Sequence, residues 1–325
     1  MNKTCLIVGL GQIGMEYDYG KIKEKSIFTH AHAINKHPNF ELIGAVDISE
    51  KKRDRFEQLY VTPTFNDIDT ALKELKPEIV IIATPTITHS SVLTKIINNS
   101  RPEIILCEKP LAFELNEGKN MVDMCEKAGI KLFVNYMRSV DTGVNEIKKR
   151  IEIGKIKKPI KANIWYSKGL YNNGSHLINL LRLWLGNIIS IKLIKKGRYF
   201  DKLDPEPDFE IEFNGCTAIF RAAWEESFSH ISAELLSISG RLLYDDGGKT
   251  IEWQGILNDP DLKGYKILDK NKEIINNSMN TIQWEVYNDI FKYLKNKKTT
   301  LTTGIQALDV LSDINLIIKQ IEKNE

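Results

Sequence analysis

The sequence predicts an α/β protein: a doubly wound parallel sheet at the N-terminus, followed by a second domain of longer strands. Three observations carry this. A strand-like run, Thr4-Cys5-Leu6-Ile7-Val8, leads at once into Gly9-Leu10-Gly11-Gln12-Ile13-Gly14. Short apolar runs then alternate with helical patterns as far as Val134. Beyond about residue 150 the runs lengthen, and turn residues punctuate them.

The first run followed by G-x-G-x-x-G is how a βαβ unit receives a dinucleotide pyrophosphate. The first glycine makes the tight turn, the second lets the backbone approach the phosphates, and the third lets helix and strand pack closely. Taken alone, the motif also occurs as an ordinary glycine-rich turn. Glu41 to Val46 reads as the second strand, and it ends at Asp47. An acidic residue there can accept hydrogen bonds from the adenosine ribose and would repel a 2′-phosphate, which favours NAD over NADP. The lesser alternative is a cap on a helix or turn, and Lys51, Lys52 and Arg53 keep NADP open. Asp47 lies 33 positions beyond Gly14, against roughly 20 in the simple fingerprint. The excess falls in Glu16 to Phe28, a polar stretch read as a loop inserted before a helix carrying Thr29-His30-Ala31-His32-Ala33. That loop is expected near the cofactor phosphates, as a lid or as a surface decoration.

Glu78 to Ala83, Glu103 to Cys107 and Ile130 to Val134 are further strands, apolar on both faces as buried parallel strands require. Between the last two, Leu115, Gly118, Val122 and Cys125 share one helical face, and Gly129 is a suitable stop. In the second half, Ile160 to Tyr166, Ile188 to Ile194, Phe209 to Phe213, Thr217 to Trp224 and Ile231 to Ser239 read as strands. Gly240-Arg241 and Asp246-Gly247-Gly248 read as turns. A final helix places Val310, Leu311, Ile314, Ile317, Ile318 and Ile321 on one face.

Bulk properties narrow the class. A chain of 325 residues with 42% hydrophobic and 27% charged residues reads as a two-domain globular protein. A net charge of +2 gives no electrostatic footprint for nucleic acid. Cys5, Cys107, Cys125 and Cys216 are scattered, which argues against a disulfide framework or a zinc site. His30, His32 and His37 lack consistent metal-ligand partners, so no metal is expected. The N-terminus enters a strand directly, leaving no room for a signal peptide, and no apolar run approaches membrane-spanning length. A cytoplasmic location is expected.

Three further stretches complete the pattern: Ala83-Thr84-Pro85-Thr86 with His89, Cys107-Glu108-Lys109-Pro110, and Asn172-Asn173-Gly174-Ser175-His176-Leu177-Ile178-Asn179. With the N-terminal glycines, this ordered set resembles the Gfo/Idh/MocA oxidoreductases, the glucose–fructose oxidoreductase and inositol dehydrogenase family. The resemblance implies a Rossmann domain (1–133), then an α+β domain with a large, mostly antiparallel open sheet (134–304). It also implies a C-terminal helix (305–325) packing back on the first domain. The family commonly forms dimers or tetramers through the back of that sheet. Asn-Gly-Ser-His, the inserted loop and Val134-Asn135-Tyr136-Met137-Arg138 are similar to a subgroup tied to bacterial surface-polysaccharide and nucleotide-sugar gene sets.

The implied reaction is hydride transfer between NAD, or NADP, and a sugar or nucleotide-sugar carbon. His176 stands at the family's catalytic histidine, and an imidazole suits proton exchange near neutrality. Lys109 stands at the Glu-Lys-Pro lysine, whose ammonium can polarise the reacting oxygen. The same resemblance puts Gly9, Gly11, Gln12, Ile13, Gly14, Asp47, Thr84, Pro85, His89, Glu108 and Lys109 at the cofactor. It puts Tyr136, Arg138, Lys168, Asn172 and Asn179 at the substrate. Asn172 and Asn179 depart from the aspartates frequent in the family, removing charge beside the histidine. Two alternatives stay open: a non-catalytic dinucleotide- or sugar-binding regulator on this scaffold, and a reductase of a non-sugar carbonyl or imine.

Overall fold

The computed structural model of the chain describes residues 2–20, 25–223 and 228–323. In chain order the first half carries β1 (Lys3–Val8), α1 (His30–Lys36), β2 (Phe40–Val46), α2 (Glu50–Tyr60), β3 (Thr64–Phe65), α3 (Ile68–Leu75), β4 (Ile79–Ile82), α4 (His89–Asn99), β5 (Ile104–Cys107), α5 (Leu115–Ala128) and β6 (Lys131–Val134). It continues with α6 (Thr142–Glu152), β7 (Ile160–Tyr166), α7 (Ser175–Leu185), β8 (Ile188–Tyr199), β9 (Pro205–Phe213), β10 (Cys216–Ala222) and β11 (Ile231–Ser237). The last elements are β12 (Gly240–Asp245), β13 (Thr250–Asn258), β14 (Lys266–Leu268), β15 (Glu273–Ile274), α8 (Ile282–Leu294), β16 (Thr302–Thr303) and α9 (Gly304–Glu322). Among the described residues no helix is long and apolar enough to cross a membrane.

The chain divides into two compact units. One comprises the chain up to Val140 with Asn280–Ser312; the other comprises Asp141–Met279 with the chain from Asp313 onward. The boundaries at 133 and 304 expected from sequence therefore differ from the observed division: α8 and the first half of α9 belong with the first unit.

The first unit is built on a sheet with strand order β16-β6-β5-β4-β1-β2-β3. All its neighbours run parallel except β16, which pairs antiparallel with β6. Every residue of β4 and β5 is buried, which is why these runs contain no polar side chain. Burying each isoleucine contributes about 2 kcal/mol relative to leaving it in water. The chain leaves β1 toward β2 on one side and returns to β4 on the other, so a crevice opens at the carboxyl ends of β1 and β4. Helix α5 buries Gly118, Met121, Val122 and Cys125 and stops at Gly129 with φ 69°. Gly118 lets α9 approach closely; a Cβ there would lie 2.7 Å from Leu311 Cδ2. The two-residue strands β3 and β16 are too short to show a period and have no counterpart in the sequence reading.

The second unit carries a sheet with order β14-β13-β12-β11-β7-β10-β9-β8, with β15 pairing on β13. Its neighbours are antiparallel except β10 with β7. Along β7 burial alternates at every residue. Tyr166 therefore points inward, where its hydroxyl donates to Pro207 O at 2.6 Å, while Trp165 lies on the open face, 42% exposed. Gly240 begins β12 and is not a turn; Ile238-Ser239 forms the turn before it. Strand β10 stops at Ala222, and Trp224, expected in that strand, lies outside the described residues. In this unit the distal part of α9 is fastened by Asp313, which accepts a bidentate pair from Arg182 at 2.6 and 3.0 Å, and by Gln320, whose amide bonds β8. On α9 Val310, Leu311, Ile314, Ile317 and Ile321 are buried and Ile318 is half-buried. All four cysteines are buried free thiols; burial pushes each thiol up, that of Cys125 to about 12.

Candidate active site

The crevice at the carboxyl ends of β1 and β4 is a cleft of about 670 Å³. Gly9, Gly11, Gln12, Asp47, Thr84 and Pro85 line it, together with Lys52 and Lys95. The three glycines have separate physical roles. Gly9 sits at φ 103°, and a Cβ there would lie 2.5 Å from Ala83 O, so the β1 turn can touch the end of β4 only without a side chain. A Cβ on Gly14 would lie 2.2 Å from Gly9 O. A Cβ on Gly11 would meet nothing within 4 Å, so the bare backbone there faces open space. Asp47, at the end of β2, braces the turn with both oxygens: Oδ2 accepts from Leu10 N at 2.8 Å and Oδ1 from Ser49 N at 2.8 Å. Arg53 bonds the Asp47 carbonyl oxygen at 2.8 Å and so keeps its charge beside this corner. A cradle of bare backbone, a carboxylate at the second strand end and a Thr-Pro wall fit a dinucleotide.

Ile13, Gly14, His89, Glu108 and Lys109, expected at the cofactor, do not line this cleft. Ile13 and Gly14 lie beneath it, and their carbonyls explain how the insertion is accommodated. One helical turn forms at the fingerprint, with Met15 N–H donating to Gly11 O at 2.9 Å. The chain then leaves and returns at Thr29. His30 N–H donates to Ile13 O at 3.0 Å and Ala31 N–H to Gly14 O at 3.1 Å. These N–H groups thus fill places that the next helical residues would hold, and α1 resumes the interrupted helix. The base of the insertion is pinned by the buried Asp18. Its Oδ2 accepts from Phe28 N at 2.9 Å, Thr29 N at 2.7 Å and Thr29 Oγ1 at 2.7 Å, with His32 Nδ1 at 3.3 Å. Burial would raise the Asp18 carboxyl, but the bonds from His32, Thr29 and Phe28 hold it below its ordinary value. Residues 21–24 of the insertion lie outside the described residues.

Glu108 and Lys109 follow β5 at the same sheet edge, and the Lys109–Pro110 peptide is cis. Beneath them lies a buried polar network. Glu108 Oε1 accepts from Asn135 Nδ2 at 2.6 Å and lies 2.9 Å from His30 Nε2. On the other side of the ring, His30 Nδ1 lies 2.8 Å from Gln283 Nε2 and 2.9 Å from Tyr287 Oη. The amide of Gln283 donates, so the network fits the tautomer with the proton on Nε2, facing the carboxylate. Burial would raise the Glu108 carboxyl, but His30, Asn135 and Lys109 hold it below its ordinary value. His89 is buried, and its ring spans Thr84 O (3.0 Å) and Leu111 O (3.2 Å). It ties the Thr84-Pro85 wall to the segment after Pro110. Gln283 and Tyr287, some 150 residues beyond Asn135, carried no signal in the sequence; His30 was visible as part of Thr-His-Ala and as a histidine without consistent metal-ligand partners.

Tyr136 is buried in the turn after β6, at 2% exposure, and Arg138, two residues on, is half-buried. In the second unit, His176 occupies the first turn of α7 and is 3% exposed; Asn179, one turn on, is 6% exposed. The segment before it, Gly169–Gly174, is a π-helical turn: Ser175 N–H donates to Leu170 O, five residues back. Half-buried Lys168 enters it at φ 61°. Asp204, which the sequence reading did not single out, accepts from Tyr171 N at 2.7 Å and Asn172 N at 3.0 Å.

Residues 3–136 match the family model for the oxidoreductase family with an NAD-binding Rossmann fold, GFO_IDH_MocA. A scyllo-inositol 2-dehydrogenase (NAD(+)) of Bacillus subtilis is 29% identical over 157 residues, 48% of this chain and 42% of that protein. The match thus spans less than half the length of that relative. An inositol 2-dehydrogenase of Rubrobacter xylanophilus is 23% identical over 244 residues, 72% of this chain and 68% of its own. The structure of the WlbA dehydrogenase of Bordetella pertussis, in complex with NADH and UDP-GlcNAcA, superposes with a TM-score of 0.77. It is 17% identical and covers 100% of this chain and 98% of its own, a likeness of fold. Residues 3–136, within the first unit, are thus similar to the NAD-binding Rossmann domain of the Gfo/Idh/MocA oxidoreductases.

Proposed function

We propose that the chain is an NAD-dependent dehydrogenase or reductase acting on a CH–OH group of a sugar or nucleotide sugar, in the cytoplasm, in surface carbohydrate biosynthesis. The observation that carries this reading is the Glu108-Lys109 turn. A buried network of five side chains fixes its carboxylate at the same sheet edge as the glycine cleft. A merely solvated strand-end lysine would not need such support.

The backbone of Gly9 to Gln12 would hold the pyrophosphate, Asp47 the adenosine ribose, and Thr84 and Pro85 the nicotinamide ribose. When bound, NAD supplies the hydride acceptor. In the oxidative direction the reacting carbon loses a hydride and its hydroxyl loses a proton. His176 takes that proton, and the Lys109 ammonium donates a hydrogen bond to the same oxygen, stabilising its developing negative charge. Tyr136, Arg138, Lys168, Asn172 and Asn179 would contact the substrate, with Arg138 and Lys168 suited to a phosphate or carboxylate. The sugar dehydrogenase names among the relatives support this substrate class. The open face of the second unit's sheet, with Trp165 and Leu236 exposed, suits a homodimer or homotetramer.

The test is absorbance at 340 nm with NAD(H) and a panel of sugars and nucleotide sugars. A substrate-dependent change is expected. Lys109→Ala and His176→Ala should abolish it while keeping NADH binding. Near-normal rates in both variants would end the catalytic assignment. Tight NADH binding without turnover across the panel would favour a regulator.

A further inference from the structure

Two buried carboxylates of the second unit are aimed at the backbone of the turn leading into His176. Asp204 is 4% exposed and Glu206 is 0% exposed. Asp204 stands immediately before β9 and Glu206 is the second residue of that strand. Asp204 Oδ1 accepts from Tyr171 N and Oδ2 from Asn172 N, while Glu206 Oε1 accepts from Gly169 N at 3.2 Å. Glu206 Oε2 accepts from Arg198 Nε at 2.8 Å, which pairs its charge. The turn's own closure follows from these bonds. Ser175 Oγ donates to Tyr171 O at 2.7 Å and to Asn172 O at 3.1 Å, the same residues whose N–H groups Asp204 holds. His176 is the next residue. Gly169 is required by this arrangement: at φ 91°, a Cβ would lie 1.9 Å from Asp204 Oδ2.

We propose that Asp204, supported by Glu206, is a positioning residue for the proposed reaction, fixing the π-helical turn 169–174 and so the direction of the His176 imidazole. Tyr171 and Asn172 stand in the first turn of the segment, where a helix supplies its N–H groups no internal acceptor, and leaving them buried without one is costly. Here a doubly accepting carboxylate satisfies two adjacent N–H groups, a charge-assisted arrangement stronger than neutral bonds. The turn can therefore hold one geometry, and with it the place of the residue after Ser175 in the first turn of α7. The proposal rests on the assignment of His176 as the proton acceptor.

The test compares Asp204→Asn, Gly169→Ala and a control, Asp208→Asn. Asp208 lies on the same strand and accepts from Ala222 N at 2.9 Å, away from the turn. Asp204→Asn puts an NH₂ group against a backbone N–H, and Gly169→Ala displaces the carboxylate sterically. Both are expected to lower kcat roughly ten- to hundredfold, as a misdirected catalytic group does, with NADH affinity unchanged. Asp208→Asn is expected to lower Tm without a matching loss of kcat. The His176 ring Hε1 resonance, assigned with His176→Asn among six histidines, should move in the first two variants and stay in the control. Wild-type kcat in Asp204→Asn and Gly169→Ala, or an unmoved His176 resonance in both, would overturn the proposal. If the wild type turns over nothing in the panel, the catalytic reading of His176 fails. The resonance then still decides whether Asp204 directs the ring.

Discussion

The glycine cleft of the first unit and the histidine-bearing turn of the second are both backbone devices, yet they are specified differently. The cleft is set by what is missing at Gly9, Gly11 and Gly14, and six consecutive letters contain the information. The turn is set by acceptors, Asp204 and Glu206, that stand some thirty residues beyond it and are brought beside it by the sheet, in which β9 joins β7 through β10. The first kind of device is steric and local. The second needs tertiary structure before its N–H groups have partners.

The largest expected effects break the local device. Gly9→Ala forces a methyl against Ala83 O at a strained φ. With strain of about 3 kcal/mol, NADH binding should weaken roughly a hundredfold or more and Tm should fall. Gly11→Ala separates fold from ligand. Its Cβ meets no protein atom, so Tm should hold while NADH titration by fluorescence shows a loss of similar size. A Gly11→Ala variant that binds normally would mean that the cleft is not where the pyrophosphate sits.

Asp47 comes next. Its two oxygens brace the turn and its charge opposes a 2′-phosphate, so NADH should bind more tightly than NADPH. Asp47→Asn should weaken NADH about tenfold and narrow the gap, because Arg53 and Lys52 remain beside the site. Tighter NADPH binding by the unaltered protein would refute this reading.

The network under Glu108 belongs to the second, non-local kind although it lies in the first unit. His30→Leu leaves the carboxylate buried with one partner fewer. Breaking such a pair costs about 3 kcal/mol, so the variant should lose stability in urea and lose turnover. His30→Gln keeps a donor on that side and should restore much of both. Equal losses in the two variants would show that ring volume, not the bond to Glu108, is what matters.

This division also explains what could be read from sequence. The strands β1, β2, β4, β5 and β6, helix α5 with its Gly129 stop, and the alternation of β7 follow from short-range periodicity and were legible. So was the presence of an insertion, from the distance between Gly14 and Asp47. Strands β12 to β15 were not, because Gly240 reads as a turn residue and β14 and β15 are short. His89 reads as a cofactor-side or helix-terminus residue from its place after Thr-Pro, and it opens α4. Its ring lies within hydrogen-bond distance of two carbonyls. Glu108 and Lys109 were found by motif, but the partners that hold Glu108 come from α1, the turn after β6 and α8. No window of sequence contains all three.

The smallest expected effect concerns pH. Burial lowers the imidazoles of His89 and His37, so the unfolded chain takes up their protons first as the solution is acidified. Their contribution is complete above about pH 6.5 and is lost as pH falls below it. Asp18 and Glu108 are also held below their ordinary values, by their hydrogen-bond partners against the effect of burial. Their contribution is complete above the ordinary carboxylate range, near pH 4, and is lost as pH falls through their lower folded values. Tm measured against pH should therefore fall in two windows. His89→Gln should flatten the upper one in part, leaving the share of His37. Glu108→Gln should lower Tm at neutral pH yet flatten the lower window, since the folded state no longer has that charge to lose. A lower window of unchanged depth in Glu108→Gln would mean that the other lowered carboxyls, Asp18, Asp67, Glu78 and Glu273, carry the acid sensitivity and that the carboxylate beside Lys109 is not held charged by its network.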